Sequence, residues 1–321
     1  MTRLRQAGAA LLAAMLTVSL VATFATAALW NQWRSTEVEA ADRARVQAAW
    51  ILTGALDWSR LILREDARAG GADHLAEPWA VPLQEARLST FLAADPSNTV
   101  ENDADTTFLS GEIVDMQSLL NVTNLVSAGS LSQVGLQAFG RLFQLLGLPP
   151  AQLTRMAENL RFASDINVGN LSSGQAPLLP QRVEQLAWLG LPPESIAALR
   201  PYVTILPVRT AVNLNTAPAE VIYAVGTNIS MADAKRLVSA REGQHFRAVA
   251  DATSLLSGPS AFASGTVDFR SRYFEVRGRL RMNDVVIEER SLVMKDGGNV
   301  RTLQRDHGGF QSASAAPAPA R

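Results

Sequence analysis

From Gln6 to Trp33 the chain carries no charged residue. As an α-helix rising about 1.5 Å per residue, such a run is long enough for the hydrocarbon core of a bilayer, which takes about 20 apolar residues. Arg3 and Arg5 precede it, so the short N-terminal end stays cytoplasmic and the bulk of the chain is exported. Ala25-Thr26-Ala27 has the small-x-small pattern of a signal-peptidase site, and a cleavable secretory signal is one reading. The continuation argues against it. The apolar run passes through Trp30 and Trp33 into a long helical pattern with no extended break after the site.

Between Ser35 and Ala67 there is no Pro, and Gly54 is the one Gly. Val38, Ala41, Ala48, Leu52, Leu56, Ser59 and Leu63 recur at helical spacing. The spacing predicts one helix from Ala9 to Ala67, ended by Gly70-Gly71.

Composition narrows the function. With 321 residues and 47% hydrophobic content the chain can bury a sizeable core in one to three domains. A net charge of −1 and a pI near 6.3 give no polyanion-binding surface. The absence of cysteine excludes disulfides, thiol nucleophiles and Cys-based metal sites. His74, His245 and His307 lie far apart, and no HExxH, GxSxG or GxxxxGK occurs, so a hydrolase or nucleotide enzyme has no visible starting point.

Asp73 to Asp105 reads as loop punctuated by Pro78, Pro82 and Pro96, with a short element in 82–93 and an acidic loop at Asn98–Asp105. Thr107–Gln117 alternates like a strand, and Asn121 and Asn124 favour the turns that follow. Leu131–Val203 is helical. LGLPP occurs at 146–150 and again at 189–193, each copy a Gly stop and a Pro start joining two helices. Further on, Thr216 is placed to cap a helix ending at Gly226, Ser230-x-x-Asp233 to open a second, and 248–256 to form a third. Ser271–Gln304 alternates again, with turns at Asn283-Asp284 and Asp296-Gly297-Gly298, as an antiparallel meander with one charged face. The Ala/Pro/Ser-rich end from Gly308 reads as disordered.

The leader, RQAG followed by AALL, looks like a type IV prepilin leader. That likeness implies a prepilin peptidase cut between Gly8 and Ala9, with the apolar segment retained as membrane anchor and stalk. Together with Glu77-Pro78-Trp79-Ala80, Gly111-x-Ile113-x-Asp115-x-Gln117, Asn121-x-x-Asn124-Leu125, Val212-Asn213-Leu214-Asn215-Thr216-Ala217-Pro218, the paired hairpins and Tyr273-Phe274, it resembles the K-type minor pseudopilins of bacterial type II secretion systems. The likeness runs from the leader to about Arg305. It implies an α+β fold: a pilin-like transmembrane N-terminal helix packed on an antiparallel sheet, interrupted by a large all-α insertion of helical hairpins of the SAM-like or helix-hairpin-helix kind. The corresponding division is leader 1–8, helix 9–67 with its membrane span to about 33, sheet part 72–125, helical insertion 126–264, closing strands 265–305 and tail 306–321.

The same resemblance implies a non-enzymatic subunit of the pseudopilus tip. It would start assembly and serve export of folded proteins across the outer membrane, anchored once in the inner membrane with its bulk in the periplasm. Its partners would be the I- and J-type and the H-type minor pseudopilins, the major pseudopilin, prepilin peptidase and secreted cargo, with no nucleic acid. Pilins usually carry Glu at the fifth mature position, here Ala13, and K-type subunits typically lack it. Trp50–Leu63 is expected to pack against other pseudopilins through Leu52 and Leu56. Many relatives carry an acidic stretch associated with calcium where this chain has Arg161-Phe162-Ala163-Ser164-Asp165. Asp103, Asp105 and Asp165 are the candidate calcium ligands left, and no resident cofactor is expected. The competing function is a membrane-anchored helix-hairpin-helix DNA-binding protein of DNA uptake. DNA-binding hairpins turn on a Gly-Ile-Gly type loop, and Val225–Ile229 has one Gly.

Overall fold

The computed structural model describes residues 6–92, 107–165, 176–256, 261–282 and 285–308. The acidic loop with Asp103 and Asp105, the Asn283-Asp284 turn and the tail from 309 lie outside the described residues. The chain consists of two units, Met1–Gly54 and Ala55–Arg321. Helix α1, Gln6–Ala69, makes up the described part of the first and enters the second. It stops where the Gly pair predicts: Gly70 and Gly71 have φ of 66° and 116°, and the Gly70 N–H returns to the Asp66 carbonyl at 3.0 Å.

In the second unit a 3₁₀ turn at Pro78–Ala80 leads to β1 (Leu83–Arg87), α2 (Leu88–Leu92) and β2 (Thr107–Asp115). Short strands follow: β3 (Leu120–Asn121), β4 (Val126–Ser127) and β5 (Ser130–Leu131). The helical part holds α3 (Gln133–Leu145), α4 (Pro150–Ala163), a 3₁₀ turn at Val183–Leu189, α5 (Pro193–Leu199), β6 (Val203–Thr204) and β7 (Val212–Asn213). It continues through α6 (Ala219–Val225), α7 (Met231–Gly243), α8 (Val249–Ser254) and β8 (Val267–Asp268). The chain closes with β9 (Tyr273–Met282), β10 (Val285–Asp296) and β11 (Asn299–His307).

The main sheet has the order β1-β2-β9-β10-β11 and is antiparallel throughout. Strands β2 and β9 are neighbours although the helical part separates them in sequence, and Asp115 lies opposite Phe274. The helical part therefore leaves and rejoins the sheet at one end. On one face Phe274, Val276, Val293 and Val300 pack with Leu56 and Leu63 of α1 and with Trp79. The Trp79 ring meets Phe274 edge-on at 5.1 Å. Burying such a side chain contributes roughly 1.5–3 kcal/mol. The opposite face carries ion pairs between strands, Arg277 with Glu112, Arg281 with Glu85 and Arg279 with Glu288, as expected of a half-solvated antiparallel sheet.

A second, larger core binds the helices, with Leu125, Leu142, Met156, Leu189, Leu199 and Leu237 among its buried members. It begins at Leu120 and reaches Val267, so 120–125 pack with the helices and not with the sheet part assigned to 72–125. Strands β3 and β6, and β7 and β8, form parallel pairs that close this part on itself. The two LGLPP corners turn at Gly147 and Gly190, with φ of 68° and 88°. RVEQLAW, expected as an α-helix, winds as the 3₁₀ turn Val183–Leu189. The closing strand β11 extends to His307, past the expected boundary at 305.

Candidate functional site: an apolar helix and a buried polar junction

Among the described residues one helix is long and apolar enough to cross a membrane, and its apolar stretch is unburied. Leu12, Leu16, Val21 and Phe24 are all exposed. Gly8, Ala9 and Ala13 lie in the first turns of α1. The hydroxyls of Thr17, Thr23 and Thr26 donate to the carbonyls of Ala14, Leu20 and Ala22 at 2.8 Å each. That pairing lets a polar side chain sit in hydrocarbon without an unmet hydrogen bond. Ala25-Thr26-Ala27 is helical on both sides. Trp30 and Trp33, with ring centroids 5.3 Å apart, precede Arg34 and mark the end of the apolar run, where aromatic residues suit the membrane–water boundary.

Leu52 and Leu56, expected to pack against a partner, are 2% and 5% exposed and offer a partner no surface. Leu56 is part of the sheet's core. Apolar periodicity finds a face that is buried, without saying what buries it. The large exposed apolar side chains of this stretch are Trp50, Trp58 and Leu61.

At the end of the sheet where the helical part leaves and returns lies a buried polar junction. Asp115, the last residue of β2, is 3% exposed. Its Oδ1 accepts from the Gln117 N–H at 2.8 Å. Its Oδ2 accepts from the hydroxyls of Thr216 and Ser271, both at 2.6 Å, and from Asn213 Nδ2 at 3.1 Å. Asn213 Nδ2 also reaches the Asp73 carbonyl at 3.0 Å, and the Ser271 N–H donates to Asp73 Oδ2 at 2.7 Å. The Asp115 carboxylate thus ties the exit from the sheet to the re-entry (Ser271) and to the helical part (Asn213, Thr216), and Asn213 and Ser271 extend the junction to Asp73 in the loop after α1. Thr216, expected to cap α6, spends its hydroxyl here, and Pro218 stands at that N-cap without a side-chain bond. Burial pushes the Asp115 carboxyl up to about 6 against the opposing donors of Ser271, Thr216 and Gln117, so it is ionised at neutral pH.

Beside it, carboxylate oxygens of Asp66, Asp73 and Glu77 lie within 4.8 Å of one another. The cation in their midst is Lys295, whose Nζ is 2.8 Å from Asp66 Oδ2 and also bonds Asp73 Oδ1. Glu77 Oε2 accepts from the His74 N–H at 2.9 Å and from Trp79 Nε1 at 2.7 Å. Burial, joined by the nearby Asp66, pushes the Glu77 carboxyl up to about 7 against those two donors. His74 stacks on His245 of the helical part at 3.8 Å and 10°. Burial, and then the second imidazole, hold its pKa below the ordinary value. Sequence reading quoted Asp115, Asn213 and Glu77 within motifs without giving them a role, and it made Thr216 a helix cap. The signal available was their placement: carboxylates and amides inside apolar runs are buried only when paired.

Asp165 lies two residues beyond the end of α4 and is not among the carboxylates of this group. Near it Arg161 pairs with Glu158 at 3.1 Å, and the Ser164 hydroxyl donates to the Leu160 carbonyl at 2.7 Å. The hairpin turn between α6 and α7 is likewise used internally. The Thr227 N–H donates to the Ala261 carbonyl at 2.7 Å. Arg141 donates to the carbonyls of Thr227 and Ile229 at 2.8 and 2.7 Å while lying 4.3 Å over the Tyr223 ring. Gly226 has an ordinary φ of −73° and is needed for space, since a Cβ there would lie 2.3 Å from Ile229 Cγ1. A phosphate-binding hairpin must present its N–H groups outward, so the DNA reading is not favoured.

Two family models, both described as type II secretion system (T2SS), protein K, match residues 118–208 and 212–270 respectively, the stretch between Asp115 and Ser271. The type II secretion system protein K of Pectobacterium carotovorum subsp. carotovorum is 26% identical, over 97% of this chain and 99% of its own. That of Pseudomonas aeruginosa is 26% identical, over 94% and 93%. These matches make the chain similar to type II secretion system protein K along nearly its whole length. A chain of the solved GspK-GspI-GspJ complex from the type 2 secretion system of enterotoxigenic Escherichia coli shares its fold, with a TM-score of 0.61 at 17% identity, covering 84% of this chain and 99% of that one. In this family's terms, the α+β reading of a long apolar helix, an antiparallel sheet and inserted helices holds, and the relatives are minor pseudopilins.

Proposed function

We propose that this chain is the minor pseudopilin at the tip of a type II secretion pseudopilus. It is cut after Gly8 and anchored by α1 in the inner membrane, and its second unit stands in the periplasm. It joins I- and J-type pseudopilins, the proteins solved together with its structural relative, and with the H-type and major pseudopilins it starts the filament that exports folded proteins. The role is structural, without a resident cofactor. The observation that carries this reading is the helical body inserted between β2 and β9. A filament that grows from the membrane needs a first subunit on which nothing stacks, and a bulky body above the sheet meets that need. Ala13 supports it. In a filament interior the Glu at this place would pair with a neighbour's amine, and an unpaired carboxylate in hydrocarbon costs several kcal/mol, of order ~3 or more.

The test is Ala13→Glu, with cysteine pairs engineered along the stalk of this naturally cysteine-free chain to locate the subunit by cross-linking. The substitution alone leaves the subunit at the tip, because the helical body still blocks stacking. Movement of Ala13→Glu into the filament body contradicts the cap.

A further inference from the structure

The loop between α1 and β1 gathers more negative charge than it balances. Among the described residues, Asp66 near the end of α1 and Asp73 and Glu77 of the loop bring carboxylate oxygens within 4.8 Å of one another. The cation between them is Lys295 of β10, which bonds Asp66 and Asp73. Three ionised carboxylates against one ammonium at this range repel, and a proton shared by two of them removes the excess. Glu77 is the carboxyl left over. Its Oε2 takes the His74 N–H and the Trp79 indole N–H, and its side chain is within hydrogen-bond reach of Asp66, a bond that two carboxyl groups make only through a proton. The same loop touches the helical part, where His74 stacks on His245. The Asp73 N–H donates to the Phe269 carbonyl at 3.0 Å, and Arg270 Nε donates to the Gly71 carbonyl at 2.8 Å.

We infer that the Asp66–Glu77 carboxyl pair is a proton-operated latch: with its shared proton in place, the 70–81 loop holds the helical part against the end of α1 and β10, and the loop opens when that proton leaves to solvent. Asp73, His74, Lys295 and His245 face the pair from the loop, the sheet and the helical part. Burial, with Asp66 beside it, holds the Glu77 carboxyl at about 7 against an ordinary 4.5. The closed loop therefore binds the proton more tightly than the open one, and closure weakens as pH rises through 7. His74, held below its ordinary 6.5, weakens closure only on the acid side of that value, so between pH 6.5 and pH 8 the Glu77 proton governs. The latch is a property of the fold and does not depend on the secretion reading.

The full-length chain in detergent is compared with Glu77→Gln by hydrogen exchange of the 70–81 segment at pH 6.5 and pH 8. Gln keeps an oxygen for the His74 and Trp79 donors and offers Asp66 an N–H, so its loop stays shut at both values. The ratio of wild-type to Glu77→Gln exchange rates removes the intrinsic pH dependence of exchange and the titration of Asp115, which are common to both chains. That ratio rises about two- to fourfold from pH 6.5 to pH 8, while the same ratio for α3 stays constant. A ratio that does not change with pH overturns the latch. So does an equal rise in α3, which shows a loss of stability throughout the fold in place of a loop opening. If Glu77→Gln does not fold, Asp66→Asn replaces it: a neutral neighbour lets Glu77 ionise at lower pH and flattens the wild-type rise, and an undiminished rise in Asp66→Asn overturns the latch.

Discussion

Asp115 concentrates the energetics of the junction in one side chain. Its four hydrogen bonds hold a buried charge, and removing a partner from such a group costs about 1–3 kcal/mol per orphaned donor or acceptor. Its folded pKa stands at about 6, above the ordinary 3.8. The folded state therefore holds its proton more tightly, and this contribution to stability is full below the unfolded pKa and lost as pH rises through 6. Relative to Asp115→Asn, the wild type gains on the order of 1 kcal/mol in going from pH 7 to pH 5, measured as the difference between their denaturant-unfolding curves. A parallel pH dependence in the two proteins contradicts the assignment. The comparison with the variant matters because His74, whose pKa is lowered, acts in the opposite direction below its ordinary value. None of this was readable from spacing. Thr216 had the local look of a helix cap, and only the folded chain brings Asp115, a hundred residues away in sequence by the bond's own separation of 101, to claim its hydroxyl.

Elements were legible where local chemistry decides them. Gly stops, Pro starts and the Ser230–Asp233 capping box, with its Ser230 Oγ bond to the Asp233 N–H at 3.2 Å, mark helix ends from a few residues alone. The parallel pairs β3–β6 and β7–β8 were not legible, since each strand has two residues and its partner lies far along the chain. The closeness of α3 to the turn before it was also hidden. A Cβ on Gly135 would lie 2.4 Å from the Asn124 carbonyl oxygen, a backbone atom that cannot swing away. Gly135→Ala therefore destabilises the fold by about 1–3 kcal/mol despite the better helix propensity of alanine. Chemical denaturation measures it, and a more stable variant contradicts the packing.

Across the whole molecule, a long apolar helix precedes a folded body, and the body is a sheet domain opened between two adjacent strands to admit a larger helical one. The meander was legible from alternation and the helical hairpins from their Gly stops and Pro starts, while the α+β class was implied by the family resemblance. The extent of the insertion was not, because residues 120–125 look like a continuation of the strand region and only their burial assigns them to the helices. In the pseudopilin reading proposed above, the apolar part of α1 stays with the mature protein as anchor and stalk. The most direct measurement is mass spectrometry of the N-terminus of the membrane-extracted protein from a cell with its own prepilin peptidase. The expected mature chain begins at Ala9. A chain that begins at Ala28, after Ala25-Thr26-Ala27, would show an ordinary secretory signal and contradict it.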